Sequence, residues 1–201
     1  MNGNFSVTEY KPKDIKELFS TVSAHQVLAL MFHADMADLF DFLGLRGFKR
    51  MHEYQFLAES CEHRKLKRYY INHHSMLLPN EEVEPLDVIP YDWYQYNRMA
   101  VTPGVRKQAV QRAMEQYKEW ETETKFLYEK CAKALLDWGC VADFNEINCL
   151  ICDVDLELKY LERLCLELKA ADYDFGYVGM LQEEYHERYK EKCKDVGKIL
   201  C

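Results

Sequence analysis

Residues 75–103 read SMLLPNEEVEPLDVIPYDWYQYNRMAVTP and hold four of the five prolines, Pro79, Pro85, Pro90 and Pro103. No helical period survives there, because proline removes a backbone donor and clashes with the preceding turn. On both sides of the stretch, apolar residues recur at spacings of three and four. A structureless connection of about 29 residues is unusual inside a compact domain and needs a reason. A helical bundle supplies one: such a loop runs the length of a long helix and starts the next helix at the far end. The stretch therefore reads as the long crossover of an all-α four-helix bundle, joining its second helix to its third.

Upstream, the spacing predicts a first helix that begins near Asp14 or Ser23 and runs to Leu43. Its inner face reads Gln26, Leu30, His33, Ala37 and Phe40. Gly44-Leu45-Arg46-Gly47 breaks it, and a second helix follows from about Phe48 to His74. So short a break makes the two antiparallel neighbours. Downstream, a third helix is expected from Val105 to Trp138, between Pro103-Gly104 and Gly139. Its inner stripe is Val110, Ala113, Tyr117, Glu121, Thr124, Tyr128, Cys131, Leu135 and Trp138. A fourth is expected from Asp143 to Ala170, with Asp143 as N-cap and Glu146 completing a capping box. Its inward residues are Ile147, Leu150, Val154, Glu157 or Leu158, Leu161, Cys165 and Leu168. A shorter fifth helix is expected over 178–196. The whole of 1–201 reads as a single helical domain, its core bundle over about 20–170.

Composition agrees. Apolar residues make up 48%, enough for a core, while 8 Gly and 5 Pro are too few for a turn-rich sandwich or a disordered chain. A net charge of -8 makes nucleic acid an unlikely partner and suits attraction of cations. The eight cysteines fall mostly in helical patterns beside Leu, Ala and Ile, where a free thiol behaves as a small hydrophobe. Residues 1–13 carry no apolar signal segment, and no apolar run reaches the roughly 20 residues of a membrane span. These features point to the reduced cytoplasm, with no disulfide and no membrane partner. Cys149-x-x-Cys152 has no second pair, so it is a poor zinc or redox motif.

Four groups carry candidate chemistry. Glu59, Glu62 and His63 share a face of the second helix, although Arg64, Lys65, Lys67 and Arg68 follow and a solvated charged stretch is the plainer reading. Glu121 sits on the apolar stripe of the third helix, where an unpaired carboxylate is costly. Asp153 and Glu157 stand four apart on the fourth helix, within reach of Lys159. His33 lies on the small-residue face of the first helix, with His25 and Gln26 as weaker companions. With turns near residues 45–46 and 140–141, His33 comes level with Glu59, and Glu121 falls within about one turn of Glu157. Each helix then offers an acid or a histidine to the interior, which is the ligand logic of carboxylate-bridged metal bundles.

Phe56-Leu57-Ala58-Glu59-Ser60-Cys61-Glu62-His63-Arg64-Lys65-Leu66 resembles the second helix of the ferritin-like superfamily. Leu77-Leu78-Pro79 resembles the early part of that family's crossover, Glu121 its third-helix glutamate, and Asp153 with Glu157 its acidic fourth helix. The likeness spreads over about residues 20–170. It implies an iron or manganese site held by Glu59, Glu62, Glu121, Glu157 and His33 or His63, with oxidase or iron-handling activity. The family's Glu-x-x-His pairs are absent: Glu62 follows Glu59, and Tyr160 follows Glu157, at that spacing. The alternative is a bundle that has lost its metal pair and serves as a protein–protein interaction module, with the aromatic run 91–96 as an anchor. A homo-oligomer or another protein partner fits either reading.

Overall fold

The computed structural model describes residues 10–79, 83, 86, 88, 89, 93 and 96–200, without the side chains at 99, 191 and 193–200. Among the described residues five helices follow in order: α1 (Ile15–Phe42), α2 (Arg46–His74), α3 (Pro103–Asp137), α4 (Val141–Ala170) and α5 (Phe175–Leu200). A 3-10 turn, Arg98–Ala100, precedes α3, and no strand occurs among the described residues.

The helix ends follow from the residues found there. Asp14 caps α1, its carboxylate accepting the Glu17 N–H at 2.8 Å. Thr102 caps α3, with Pro103 at the first helical position, where its missing N–H costs nothing. At the end of α1, Gly44 adopts φ +74° while the Leu45 N–H reaches the Phe40 carbonyl and the Gly44 N–H that of Asp41. This closure reverses the chain in very few residues. The same pair of bonds closes α3 around Gly139, from Cys140 to Leu135 and from Gly139 to Leu136. Because the closure is so tight, α4 restarts at Val141, two residues ahead of Asp143. The expected capping role of Asp143 is thus corrected: it lies buried within the first turn of α4. The fifth helix is also longer than expected, 26 residues, and starts earlier because the Asp174 carboxylate accepts the Tyr177 N–H at 3.0 Å.

α1 with α2 and α3 with α4 form two antiparallel hairpins, and α1 also touches α3. The connection between α2 and α3 spans the bundle lengthwise. Leu78 packs with Leu18, Phe19 and Tyr70 at one end, whereas Val88 and Trp93 pack with the cluster around Phe40 and Phe48 at the other. Arg98 then ties the loop to the end of α1 by donating to the carbonyls of Phe42, at 2.9 Å, and Asp41. Of the aromatic run 91–96, only Trp93 and Tyr96 are described; residues 91, 92, 94 and 95 lie outside the described residues, as do Pro85 and Pro90.

α5 folds back along α2. Leu45 supplies no side-chain cap to α2; instead the Gln182 amide oxygen of α5 accepts the Gly47 N–H at 2.9 Å, and Arg46 grips Glu183 with two nitrogens. The backbones approach so closely that a Cβ on Gly47 would stand 1.5 Å from the Gln182 carbonyl oxygen. Gly47 therefore serves the packing of α5, and only Gly44 makes the turn.

The core is divided. One apolar cluster gathers the residues around Phe40, Phe48, Met114 and Leu168, and a second those around Leu18, Leu127, Leu135 and Ile147. Polar side chains of α1 to α4 lie between them. Among the six described thiols only Cys131 is fully buried; Cys149 and Cys152 face outward on α4, and none is disulfide-bonded. Cys193 and Cys201 lie outside the described side chains.

Candidate metal centre

The polar layer arises from helical spacing on all four bundle helices. His52, Gln55, Glu59 and Glu62 recur at three and four residues along α2. Tyr117, Glu121, Thr124 and Tyr128 do so along α3. α1 contributes Gln26 and His33, and α4 contributes Glu157. Gln26, His33, His52 and Glu121 are at most 2% exposed, so their polar atoms depend on partners inside the protein.

The second hairpin behaves as its spacing predicts. Its turn centres on Gly139, so Glu121 stands 18 residues before it and Glu157 18 after it, at one level. The first hairpin turns at Leu43–Leu45 rather than at 45–46. With Gly44 at its centre, His33 stands 11 residues before the turn and His52 8 after it, within one helical turn of the same level, and the two rings meet through their Nδ1 atoms at 3.0 Å. Glu59 stands seven residues further along α2, about 10 Å at the helical rise.

His33 Nε2 lies 3.8 Å from Glu121 Oε1, too far for a hydrogen bond. Ligand atoms of His33, Glu121 and Glu157 all lie within 4.8 Å of one another. Glu157 Oε1 accepts from both the Tyr117 hydroxyl and the Gln55 amide, which fix its orientation. His33 Nε2, Glu121 Oε1, Glu59 Oε2, His52 Nε2 and both polar atoms of the Gln26 amide are buried with no hydrogen-bond partner. Such orphaned atoms are rare and costly in a folded protein.

Electrostatics follow from burial. Desolvation raises Glu121 and Glu59 well above the usual carboxylate range. Neighbouring acids push further in the same direction: Glu157, Glu59 and Glu62 on Glu121, and Glu62 and Glu157 on Glu59. Burial also lifts Glu62 to about 7, aided by Asp153 and Glu157 and opposed by Lys65. Glu157 rises to about 7 through burial, against the hydrogen bond from Tyr117. Desolvation lowers His33 to about 3 and carries His52 well below the ordinary range, with His33 adding to the effect on His52. The layer thus holds neutral imidazoles beside carboxyls that resist ionisation, and a cation placed among them would reverse both tendencies.

The remaining candidates are dispersed. His63 turns to α1, its Nε2 at 3.0 Å from Ser23 Oγ, away from the triad of His33, Glu121 and Glu157. Asp153 is exposed on α4. His25 is a satisfied core histidine, stacked on Trp120 and bonded to Thr124 Oγ1 at 2.8 Å. His52, Gln55 and Tyr117 were not among the expected site residues. Extending the Glu59–Glu62 face backwards by four and three residues reaches Gln55 and His52, a pattern hidden by the mixed polarity of α2. A cavity of about 160 Å³ between α2, α4 and α5 reaches this layer at Gln55, Tyr117 and Glu157, with Tyr185 and Tyr189 on its α5 side.

The donor set suits a first-row divalent ion of the iron or manganese type, which favours carboxylate oxygen with imidazole nitrogen. The spread of 4.8 Å among His33, Glu121 and Glu157 is one that metal–ligand bonds of about 2 Å gather with small rotamer changes.

No protein-family model matches the chain, and no curated protein matches it in sequence. Solved structures do match. A humanized archaeal ferritin aligns with TM-score 0.72 at 15% identity, covering 88% of this chain and 98% of its own. The fold is that of the ferritins. An open pore ferritin from the hyperthermophilic archaeon Archaeoglobus fulgidus gives TM-score 0.71 at 15% identity, over 88% of this chain and 98% of its own. A closed form of the Archaeoglobus fulgidus ferritin, engineered by site directed mutagenesis, gives TM-score 0.71 at 15% identity, with 88% and 97% covered. The ferritin-like bundle resembled by the sequence is therefore present, crossover included, although so little of the sequence is shared. None of the described helices is long and apolar enough to cross a membrane.

Proposed function

We propose that this ferritin-like chain binds iron within its bundle, at Glu59, Glu62, Glu121, Glu157 and His33, and handles it there by oxidation. The observation that carries this reading is the pair of buried carboxyl oxygens without a partner, Glu59 Oε2 on α2 and Glu121 Oε1 on α3, beside the equally unpartnered His33 Nε2, with a Glu157 oxygen of α4 within 4.8 Å of His33 and Glu121. Burying several such groups together costs free energy that a bound cation offsets. Iron held there would supply one-electron chemistry toward dioxygen.

The protein's own groups have distinct parts. In the tautomer whose His33 Nδ1–H donates to His52, His33 Nε2 presents a lone pair toward Glu121. Tyr117 and Gln55 hold Glu157 and leave its second oxygen outside those two bonds. Glu62 and Glu157, at about 7, carry protons near neutrality and release them when a cation binds. The cavity at Glu157 provides space for a small molecule beside the acids. His63, bonded to Ser23, is outside the proposed ligand set.

Anaerobic Fe²⁺ titration of chelator-stripped protein tests the reading, with bound metal counted after desalting. Wild type is expected to retain stoichiometric iron, and Glu121→Gln and Glu157→Gln to fall to background while staying helical. Wild-type protein that retains no Fe²⁺, or a Glu121→Gln variant that retains as much as wild type, refutes it. Parallel titration with Mn²⁺ distinguishes the two metals.

A further inference from the structure

A second cluster of metal-ligating side chains lies at the start of α4. His73 and His74 close α2, and Asp143 sits in the first turn of α4. One ligand atom from each lies within 4.8 Å of the other two. Fourteen residues of α4 separate Asp143 from Glu157, about 20 Å along the helix, so this cluster is remote from the polar layer.

Asp143 is 3% exposed, yet it is a carboxylate, and its Oδ1 accepts from the Tyr69 hydroxyl at 3.0 Å and meets His74 Nε2 at 2.9 Å. The two imidazoles are held in place by rings. His73 stacks on Tyr69 with centroids 5.3 Å apart, and His74 lies 4.6 Å from Tyr70 and 5.9 Å from Phe19. His73 itself is exposed, which leaves one side of the cluster open to water. A buried carboxylate, an imidazole in contact with it, a second imidazole at the surface and a hydroxyl orienting the carboxylate form the two-His, one-carboxylate set of open tetrahedral zinc-type sites.

We propose that His73, His74 and Asp143 form a peripheral site for a divalent transition ion of the Zn²⁺ class, with Tyr69 as the positioning residue for the carboxylate. The ion takes the place of the shared proton between His74 and Asp143 and draws in His73, and water fills the fourth position. The site stands whether or not the interior acids bind iron, because it shares no ligand with them.

Zn²⁺ titration of the full chain by calorimetry tests this. The background carries Glu121→Gln and Glu157→Gln to remove the interior ligands, and Cys149→Ser and Cys152→Ser to remove the exposed thiols. One equivalent of Zn²⁺ is expected to bind, weakened at least tenfold by His73→Ala and by His74→Ala. Tyr69→Phe should weaken it by about tenfold, as loss of an outer-shell partner does. His73 is exposed, so His73→Ala should leave helicity and melting temperature without zinc unchanged, which separates ligand loss from misfolding. In the background protein, Zn²⁺ should raise the melting temperature, and this rise should vanish in His73→Ala. Absence of binding in that background, or an affinity indifferent to both histidines, overturns the proposal. So does zinc that binds only when Cys149 and Cys152 are restored.

Discussion

Replacing Glu62 by Gln should stabilise the metal-free protein at alkaline pH and do much less in acid. Burial, with Asp153 and Glu157 nearby, raises Glu62 from 4.5 to about 7. The folded protein therefore holds the Glu62 proton more tightly than the unfolded chain does. The stability that this proton contributes is complete below pH 4.5 and is lost as pH rises through about 7. Taking glutamine as a stand-in for the protonated acid, linkage makes Glu62 cost the wild type about 3 kcal/mol at about pH 8, and about 1 kcal/mol at about pH 5, where only the unfolded chain ionises it. Partial exposure of Glu62 makes these figures upper values. Urea denaturation with chelator present measures both. The unfolding midpoint of Glu62→Gln should exceed that of wild type clearly at about pH 8 and only slightly at about pH 5, with unchanged slope. Adding Fe²⁺ should then stabilise wild type more than the variant, since the ion meets a repulsion that the variant lacks. Equal stability of the two proteins at both pH values would refute the view that the buried carboxyls strain one another.

Gly47→Ala should destabilise the protein by more than about 2 kcal/mol, as overpacking does, because its Cβ would collide with backbone rather than with a flexible side chain. Thermal melts should show the loss, and limited proteolysis should cut α5 first; an unchanged melt would mean that α5 does not rest on α2 as described. Thiol counting with a chromogenic reagent on protein denatured without reductant should find all eight cysteines free, and a lower count would reveal a disulfide.

Much of the fold was legible because its signals are local. The proline-rich loop, the three-and-four spacing and the glycines at the turns each restrict the backbone without reference to distant parts of the chain. The site was less legible because it depends on register between helices. Moving the first turn a residue or two toward the N-terminus slides α2 by about three residues against α1, which takes Glu59 off the level of His33 and lets His52, within one turn of that level, meet it. Glu121 and Glu157 were found because they fall within about one turn of the same level whether the second turn is centred at 140–141 or at Gly139. Tyr117 was read as core, which is correct for its ring; its hydroxyl, aimed at Glu157, leaves no mark in hydrophobic periodicity. The position of α5 was not legible at all, since the Gln182–Gly47 bond joins residues 135 apart in sequence.

The division of the core explains how such a layer can persist. Each large apolar side chain that is fully buried, such as Phe40 and Phe48 on one side or Leu18 and Leu127 on the other, contributes about 1.5–3 kcal/mol. Those clusters close the bundle at both ends without help from the acids. The carboxyls between them are thus held at fixed separations by packing that does not depend on what they bind. That rigidity has two consequences for the proposed function. An interior of this kind cannot relax its acids into water when no cation is present, so burial pushes Glu59, Glu62, Glu121 and Glu157 upward toward their protonated forms. It also places ligand atoms of His33, Glu121 and Glu157, on three separate helices, within 4.8 Å of one another before any ion arrives, which lowers the ordering cost of binding. A carboxylate layer between independent apolar clusters is therefore costly for stability and well arranged for a metal. The same physics accounts for both.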